Sequence, residues 1–463
     1  MQHIFERLAQ LGTAVPELVL PAPAVNLEQW AVIACDQYTQ DRDYWAQVKQ
    51  QAGTSPSTLN LIFPEIFLAD NGRNERIENI HQSMKKYLAK NVFSPPRQGF
   101  MYIERNTPFH PCRKGLLLAV DLEQYDWAPS ARPLIRATEG TVPERIPPRM
   151  EIRRGAPLES PHILLLIDDE QFGLLEKLGD RVKKTEPTYA TSLMLDSGNI
   201  QGWFLDEKNW QLVAEGLEHL AERAKTRYGQ TDKTPFLYAV GDGNHSLATA
   251  KAVWEEYKAA HQGEPGIENH PARWALVEVE NLYDPGISFE PIHRVVFGTD
   301  SDSILKALAV LPGFNYRFVK NREELSRLVG DRAAPKNRYG IIDESRLILA
   351  ESDAQGIATD ALQPLLDAFI KQKTGRSIDY IHGEDELFRL TGFLTGKSDN
   401  NKAEETENAA AKTVTGTGIL LPPIKKEDLF KTVAASGPLP RKSFSMGEAC
   451  EKRFYLECRK LFG

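Results

Sequence analysis

The stretch 236–254 contains residues whose types and spacing could do chemistry. Residues 236–240 form a short apolar run, residues 241–245 are turn formers and small polar groups, and from Ser246 apolar residues recur at helical spacing. This pattern predicts a strand that ends at Val240, a tight turn, and a helix that begins within two residues of Ser246. The first N–H groups of a helix have no intrahelical partner and, together with the helix dipole, they form an anion site.

The turn offers both phosphate-binding and catalytic groups. Two glycines let the backbone approach a ligand closely, and the predicted phosphate-binding residues here are Gly241, Gly243, Asn244 and Ser246. Asp242 would repel a phosphate unless a divalent cation lay between them, so it is the predicted ligand of Mg²⁺. His245 titrates near neutral pH and is a candidate catalytic residue. The alternative is that Asp and Asn only cap the helix and Gly only makes the turn.

Composition sets limits on the class of protein. The chain has 463 residues, 41% of them hydrophobic and 26% charged, with a formal net charge of −8. It is therefore expected to be globular and cytoplasmic, without a signal peptide, and no apolar run approaches the roughly 18 residues of a membrane span. The acidic charge argues against a nucleic-acid partner. Four cysteines without metal spacing suit a reducing compartment.

The D-G-x-H core formed by residues 242–245 resembles the D-G-H-H-R signature of the DUF1015 family. That family is related to the ParB/sulfiredoxin-like superfamily, which includes ADP-dependent free-serine kinases. The resemblance implies a mixed α/β (α+β) fold with a ParB/sulfiredoxin-like mixed sheet, and a loop that binds nucleotide phosphates. The chain departs from the signature because Asn244 replaces the first His and Ser246 replaces the Arg.

Three further motifs resemble elements of the same family. Asp36 corresponds to the acid of an A-P-P-Y-D-V segment, and the resemblance implies a catalytic role, although a helix N-cap is the alternative. Arg136 and Glu139 correspond to I-R-P-H-E-x-T, where they would hold a charged ligand or pair with each other. Glu65 follows the proline of an N-x-x-x-L-x-x-P-like element, and we expect it at the surface.

The Pro-x-His-Arg motif predicts two more ligand-binding residues. His293 and Arg294 resemble the family's P-T-H-R-x-V motif, but neighbouring residues of a regular strand face opposite sides. Both would reach one site only across a bulge or at a strand end. Arginines at 145, 149, 153 and 154 suit either an anionic ligand or a solvated basic face.

The surrounding elements must position these groups. We predict strands at 30–35, 99–104, 115–121, 162–168, 273–280 and 287–296, and helices at 73–90, 169–184 and 205–229. The main domain is expected over residues 1–298, and a smaller C-terminal α/β domain over 299–463 with a mobile loop at 397–415. Polar residues at strand ends cluster at the carboxyl edge of a sheet, so one pocket is expected to contain Asp36, Arg136, Glu139, Asp242, His245 and His293.

The combined prediction is an Mg²⁺-dependent phosphotransferase that uses ATP or ADP. It would act on a small hydroxylated metabolite, with free serine implied by the resemblance, and Asp36, His245 and Glu139 would be the catalytic residues. The alternatives are a metal-dependent phosphatase or hydrolase, and a ParB-like nucleotide-binding switch. The oligomeric state is left open, a homodimer included.

Overall fold

The computed structural model describes residues 2–228, 234–393 and 416–462. The chain forms two compact units: unit 1 comprises residues 1–288, 429–438 and 446–463, and unit 2 comprises residues 289–428 and 439–445. Both units combine helices with β-sheets, which confirms the predicted mixed α/β class. Unit 2 is therefore an insertion in the sequence of unit 1, whereas the sequence predicted a single division at residue 298. The predicted mobile loop 397–415 lies outside the described residues.

Unit 1 alternates helices and strands up to residue 288. Its helices there are α1 (Gln2–Gln10), α2 (Leu27–Trp30), α3 (Arg42–Ala52), α4 (Arg73–Ala89), α5 (Ile146–Arg153), α6 (Leu175–Val182), α7 (Glu207–Arg227) and α8 (Asn244–Ala260). Its strands are β1 (Thr13–Ala14), β2 (Glu17–Val19), β3 (Val32–Ile33), β4 (Arg97–Gln98), β5 (Phe100–Asn106), β6 (Arg113–Asp121), β7 (Tyr125–Asp126), β8 (Ile135–Ala137), β9 (Leu158–Glu159), β10 (Leu164–Ile167), β11 (Tyr189–Ser192), β12 (Asn199–Leu205), β13 (Tyr238–Asp242) and β14 (Trp274–Asn281).

A mixed sheet forms the centre of unit 1. Its strand order is β11-β12-β5-β6-β14-β10-β13-β8-β7, and β1 also pairs with β6. The β10–β14, β13–β8 and β7–β8 pairs are parallel, and the other pairs are antiparallel. Alternate residues of a strand face opposite sides, so Phe100 and Tyr102 pack with α1, α6, α7 and α8. Met101 and Ile103 pack on the other face with α3 and α4.

Unit 2 contains an antiparallel sheet with helices. Its elements are β15 (Phe289–Phe297), α9 (Ser301–Leu308), β16 (Asn315–Phe318), α10 (Arg322–Val329), β17 (Asn337–Ile342), β18 (Leu347–Ser352), α11 (Ala358–Lys371), β19 (Ser377–His382), α12 (Glu384–Thr391), β20 (Thr417–Leu420) and β21 (Phe444–Met446). The strand order is β16-β18-β17-β20-β15-β19, with β21 also paired to β15. Within the described ranges of the chain, we find no helix of the length and apolar character needed to cross a bilayer.

Several predicted elements are confirmed and two are wrong. Helix 73–90 and the antiparallel pair at 99–104 and 115–121 are present as α4, β5 and β6. The predicted strand 30–35 is wrong at its start, because the Asn26 side chain accepts N–H bonds from Glu28 and Gln29 and caps the helical turn α2. The predicted helix 169–184 starts only at Leu175, since the Asp169 carboxylate accepts the Leu174 N–H instead.

The C-terminal segment returns to unit 1 and is fixed there by buried charges. It contains α13 (Leu429–Ser436), β22 (Phe454–Tyr455), which pairs with β3, and β23 (Cys458–Lys460), which lies between β2 and β9. Arg453 Nε lies 2.8 Å from Glu278 Oε2 on β14, and its guanidinium also binds Glu457. The Arg105 and Arg113 guanidinium groups donate to the Glu451 carbonyl oxygen over 3.0 and 2.8 Å.

The junction of β13 and α8 has the predicted strand–turn–helix form. The strand extends to Asp242, two residues beyond the predicted end, and the helix begins at Asn244, within two residues of Ser246 as predicted. Gly243 joins them with φ +82°, in the left-handed region. A Cβ at Gly243 would lie 3.1 Å from both Cα and Cγ1 of Ile163. The turn therefore needs a glycine for its conformation and for its close contact.

We expect Arg453→Met to lower the free energy of unfolding by about 3–5 kcal/mol, because it leaves two buried glutamates without their cation. Denaturant unfolding, followed through the tryptophans of unit 1, measures this. The matched control is Arg154→Ala, which removes a half-exposed pair with Glu256 and should cost at most about 1 kcal/mol. Equal effects for the two variants would contradict a structural role for the buried cluster.

Gly243→Ala should destabilise the protein more than Gly72→Ala does. Gly72 precedes α4 with nearly the same backbone conformation, φ +81°, but a Cβ at Gly72 would meet no other described atom within 4 Å. Gly72→Ala should thus cost about 1–2 kcal/mol for the left-handed conformation alone. Gly243→Ala should cost about 1–3 kcal/mol more because Ile163 must move. Equal unfolding free energies for Gly243→Ala and Gly72→Ala would show that Ile163 moves away from the added Cβ at no cost.

Candidate functional site

A cavity of about 150 Å³ lies within unit 1, beside the start of α8. Most of its wall is apolar and comes from the segment 61–68, α4, α5 and the C-terminal segment. Its polar lining residues include Glu65, Arg149, Ser160, His162, Ser246 and Tyr455. A small, largely apolar cavity with a few convergent polar groups is the usual form of a small-molecule site.

His162 connects two of the elements that form this cavity. It lies just before β10, and its Nε2 atom is 2.7 Å from Ser246 Oγ in the first turn of α8. Its Nδ1 atom is 2.8 Å from the Tyr455 hydroxyl oxygen on β22. That oxygen also accepts the Cys35 N–H over 3.2 Å. The imidazole is thus held at both nitrogens, with a serine hydroxyl on the side of the helix.

Asp36 and Glu65 lie on either side of Cys35, whose carbonyl oxygen accepts the Glu65 N–H over 2.8 Å. Burial alone would raise the pKa of Asp36, but the charges of His162 and Lys452 and a hydrogen bond from Gln37 hold that pKa below its usual range. Asp36 is therefore ionised at neutral pH.

The pKa of Glu65 is shifted in the opposite direction. Burial and the negative charge of Asp36 raise the pKa of Glu65, against the opposing effect of Arg149. Arg149 Nη2 lies 2.5 Å from Glu65 Oε1. Two neighbouring carboxyl groups whose pKa values move apart are the usual sign of separate acid and base roles. Glu65, which we expected at the surface, therefore belongs to the candidate site.

Lys452 connects the two predicted acidic positions. It is only 5% exposed, and its Nζ lies 3.2 Å from Asp242 Oδ2 at the end of β13. Its charge also contributes to the lowered pKa of Asp36. The ammonium thus neutralises carboxylates from two separate strand ends at the start of α8.

The first residues of α8 combine paired and unpaired polar atoms. Asn244 is 9% exposed, and its Oδ1 has no hydrogen-bond partner among the described residues. His245 Nε2 accepts the Val142 N–H over 3.2 Å, so that nitrogen carries no proton in this arrangement. Gly241 lies on β13, where a Cβ would clash with Met446 Sδ at 2.3 Å.

Arg136 and Glu139 lie along and just beyond β8, which runs parallel to β13. Arg136 is buried, donates from Nε to the Pro133 carbonyl oxygen over 3.0 Å, and stacks on the Phe236 ring at 4.5 Å. Glu139 is half-buried. The strand pairing brings this end of β8 next to the end of β13, but neither side chain lines the cavity.

His293 and Arg294 lie on β15 in unit 2. His293 Nδ1 accepts the Leu421 N–H over 3.1 Å, and burial with the neighbouring charge of Arg294 lowers the pKa of His293 to about 3. Arg294 is fully buried and donates from Nε to Gln363 over 3.0 Å. Both residues thus have partners within unit 2.

Of the predicted site residues, all of which the structure describes, Ser246 lines the cavity. Asp36 does not line it but interacts electrostatically with His162, which does, and with Lys452, whose Nζ contacts Asp242 outside the cavity wall. The sequence reasoning missed His162, Lys452 and Tyr455, which belong to no motif that it recognised. The arginine-rich stretch 145–154 did contain a signal, because Arg149 and Arg153 both line the cavity. Arg153 pairs there with Glu159, whereas Arg154 pairs with the half-exposed Glu256.

Comparison with solved structures finds only distant similarity. A conserved hypothetical protein from Pyrococcus furiosus matches with 10% identity and a TM-score of 0.36, over 75% of this chain and 95% of its own. A free serine kinase in complex with AMP matches with 10% identity and a TM-score of 0.37, over 74% and 92%. SbnI with a C-terminal truncation, from Staphylococcus aureus, matches with 11% identity and a TM-score of 0.33, over 72% and 82%.

Comparison of the sequence with family models identifies the family of the chain. No curated protein matches the chain. The model of a family described as "Protein of unknown function (DUF1015)" matches residues 19–369, about three quarters of the sequence. The motif resemblance at residues 242–245 is thus confirmed at family level, and the chain belongs to the DUF1015 family.

Proposed function

We propose that the chain is a nucleotide-dependent phosphotransferase that acts on a small hydroxylated metabolite. The observation that carries this proposal is the position of Lys452, buried beside the first turn of α8 and paired with Asp242 over 3.2 Å. A fixed cation and the dipole at a helix start together favour a phosphate. Asp36, close enough to Lys452 for their charges to interact, places a carboxylate beside the same group.

The turn would bind the transferred phosphate mainly through its backbone. The N–H groups of Asn244 and Ser246 lie in the first turn of α8, where no preceding helical carbonyl is available to accept them. Gly241 and Gly243 keep the backbone accessible to a bulky anion. In phosphoryl transfer, positioning and neutralisation of charge supply most of the catalysis, and these are the properties that the turn and Lys452 provide.

Asp36 would be the catalytic carboxylate of this reaction. Its lowered pKa keeps it ionised at neutral pH, so it can accept a hydrogen bond from an acceptor hydroxyl and orient it towards the phosphorus, as the catalytic-loop aspartate does in protein kinases. Free serine is the first acceptor to test because the motif resemblance implies it. Arg136, Glu139 and His245 of unit 1 are proposed ligand-binding or catalytic residues, and His293 and Arg294 are proposed ligand-binding residues of unit 2. Substitution of each, followed by the same assays, tests these roles.

Asp242 is the proposed protein ligand of Mg²⁺. Among the described residues no group of three or more His, Cys, Asp or Glu side chains is placed to hold a metal ion. A nucleotide-bound Mg²⁺ commonly needs only one or two carboxylates, with phosphate oxygens and waters completing its shell. Asp242 suits this arrangement, although the ion would share the carboxylate with Lys452. Bound Mg²⁺ would neutralise charge on the phosphates.

Asp36→Asn should reduce kcat for phosphate transfer to the acceptor by about 10²–10⁴-fold, because the amide cannot take up the hydroxyl proton. Nucleotide affinity should change little. Steady-state assays with ATP or ADP and free serine, with Mg²⁺ present, measure the first quantity, and calorimetric titration measures the second. The control is Asp41→Asn, which keeps a helix cap five residues away. Full activity in Asp36→Asn would remove the residue from the mechanism.

Asp242→Asn should abolish most of the Mg²⁺-dependent gain in nucleotide affinity while the fold survives, because asparagine keeps the shape but loses the charge that holds the cation. Titrations of ATP, ADP and CTP with and without Mg²⁺ test this. If Asp242 serves only the turn, the same change should cost about 1 kcal/mol or less of stability and leave binding unaltered. Absence of binding by the wild-type protein to every nucleotide would reject the proposed function itself.

A further inference from the structure

Ser246 and His162 form a nucleophile–base pair in the wall of the cavity. Their side chains are 2.7 Å apart, and a third group, the Tyr455 hydroxyl, holds the other imidazole nitrogen at 2.8 Å. A hydroxyl, a base within hydrogen-bond reach, and a residue that orients the base define an activated serine. We propose that Ser246 is a catalytic nucleophile and that this cavity hydrolyses small carboxylic esters through an acyl-enzyme.

The hydrogen bonds permit the tautomer that the reaction needs. Tyr455 Oη already accepts the Cys35 N–H over 3.2 Å, and its second lone pair can accept the Nδ1–H of His162. Nε2 is then the unprotonated nitrogen and accepts the Ser246 hydroxyl proton. Burial holds the pKa of Tyr455 well above its ordinary range, so the phenol stays neutral and acts as a positioning residue.

Asp36 supplies the electrostatic support that such a pair requires. Interaction with the charge of His162 contributes to the lowered pKa of Asp36, so the carboxylate lies where it can stabilise positive charge on the imidazole. This is the stabilising role that the acid has in serine hydrolases. In the present structure the acid acts by its charge, while Tyr455 makes the direct contact with Nδ1.

The lining of the cavity indicates the class of substrate. Beside Ser246 and His162 the wall is formed by apolar side chains, including Ile62, Phe63 and Met84. With a volume of about 150 Å³ the cavity suits a short acyl chain rather than a long one. The two arginines that also line it are already paired, Arg149 with Glu65 and Arg153 with Glu159. An uncharged ester therefore fits this wall better than an anion does.

The reaction needs only the ester and water. Ser246 Oγ attacks the carbonyl carbon while its proton moves to His162 Nε2, and a tetrahedral intermediate forms. The ester C–O bond breaks, and His162 returns the proton to the leaving alkoxide. Water then attacks the acyl-enzyme, gives its proton to His162, and releases the carboxylic acid with Ser246 restored.

The full-length protein should hydrolyse p-nitrophenyl butyrate and should be labelled by a fluorophosphonate on Ser246, as seen by intact mass and peptide mapping. Ser246→Ala should abolish labelling, and should lower the hydrolysis rate by at least about 10²-fold. The matched control is Ser192→Ala at the exposed end of β11. This substitution should leave the labelling and the hydrolysis rate unchanged. Label on another residue, no label, or full hydrolysis by Ser246→Ala would overturn the proposal.

The role of His162 has its own test. His162→Ala should reduce labelling and hydrolysis by about the same factor as Ser246→Ala does. Added imidazole should restore part of both activities. Imidazole would not restore them if His162 were only a structural residue. Absence of rescue in a variant that still folds, as judged by its melting temperature, would count against general base catalysis by His162. This inference does not rest on nucleotide binding, so failure of the phosphotransferase assays would leave its outcome unaffected.

Discussion

Arg453 lies between two buried carboxylates, Glu278 on β14 and Glu457 four residues further along its own segment. Both glutamates are buried, so water cannot solvate their charges. Because an unpaired buried charge is costly, Arg453 is held in one position between them. Arg105 and Arg113 complete the cluster by donating to the backbone carbonyl of Glu451. Such a cluster contributes less net stability than an apolar core would, but it tolerates only one alignment of the chain across the sheet.

The alignment of this segment determines the positions of two polar side chains of the candidate site, Lys452 and Tyr455. Lys452 precedes Arg453 and reaches Asp242, whereas Tyr455 follows two residues later and reaches His162. A shift of the segment by one residue would exchange the sides on which these groups lie, because alternate residues of an extended chain face opposite directions. The β22–β3 pairing, with Tyr455 opposite Val32, fixes the same register next to Asp36. One anchoring cation therefore positions the groups of both the turn that is proposed to bind phosphate and the cavity.

The sequence predicted those secondary-structure elements that depend on the local spacing of apolar residues and glycines. The strand–turn–helix at residues 238–260 follows from an apolar run, two glycines and helical periodicity, and α4 follows from its apolar stripe. The contacts of His162 were beyond such reasoning, since its partners are separated from it by 84 and 293 residues. No local pattern encodes which strands become neighbours. The strand predicted at 30–35 begins only at Val32, because the Asn26 cap holds the chain up to Trp30 in a helical turn.

The order of the sequence has a consequence for synthesis. Unit 1 is interrupted by residues 289–428 and resumes at residue 429, and Trp30 donates its indole N–H to the Leu456 carbonyl oxygen across 426 residues. A ribosome therefore completes most of unit 2 before it makes the strand that pairs with β3. During that interval the edge of β3 that pairs with β22 is open and Glu278 lacks its cation. An open strand edge is a place where chains can associate. The groups of the candidate site can assemble only after residues 452–455 have been made, when the strands of the main sheet already exist.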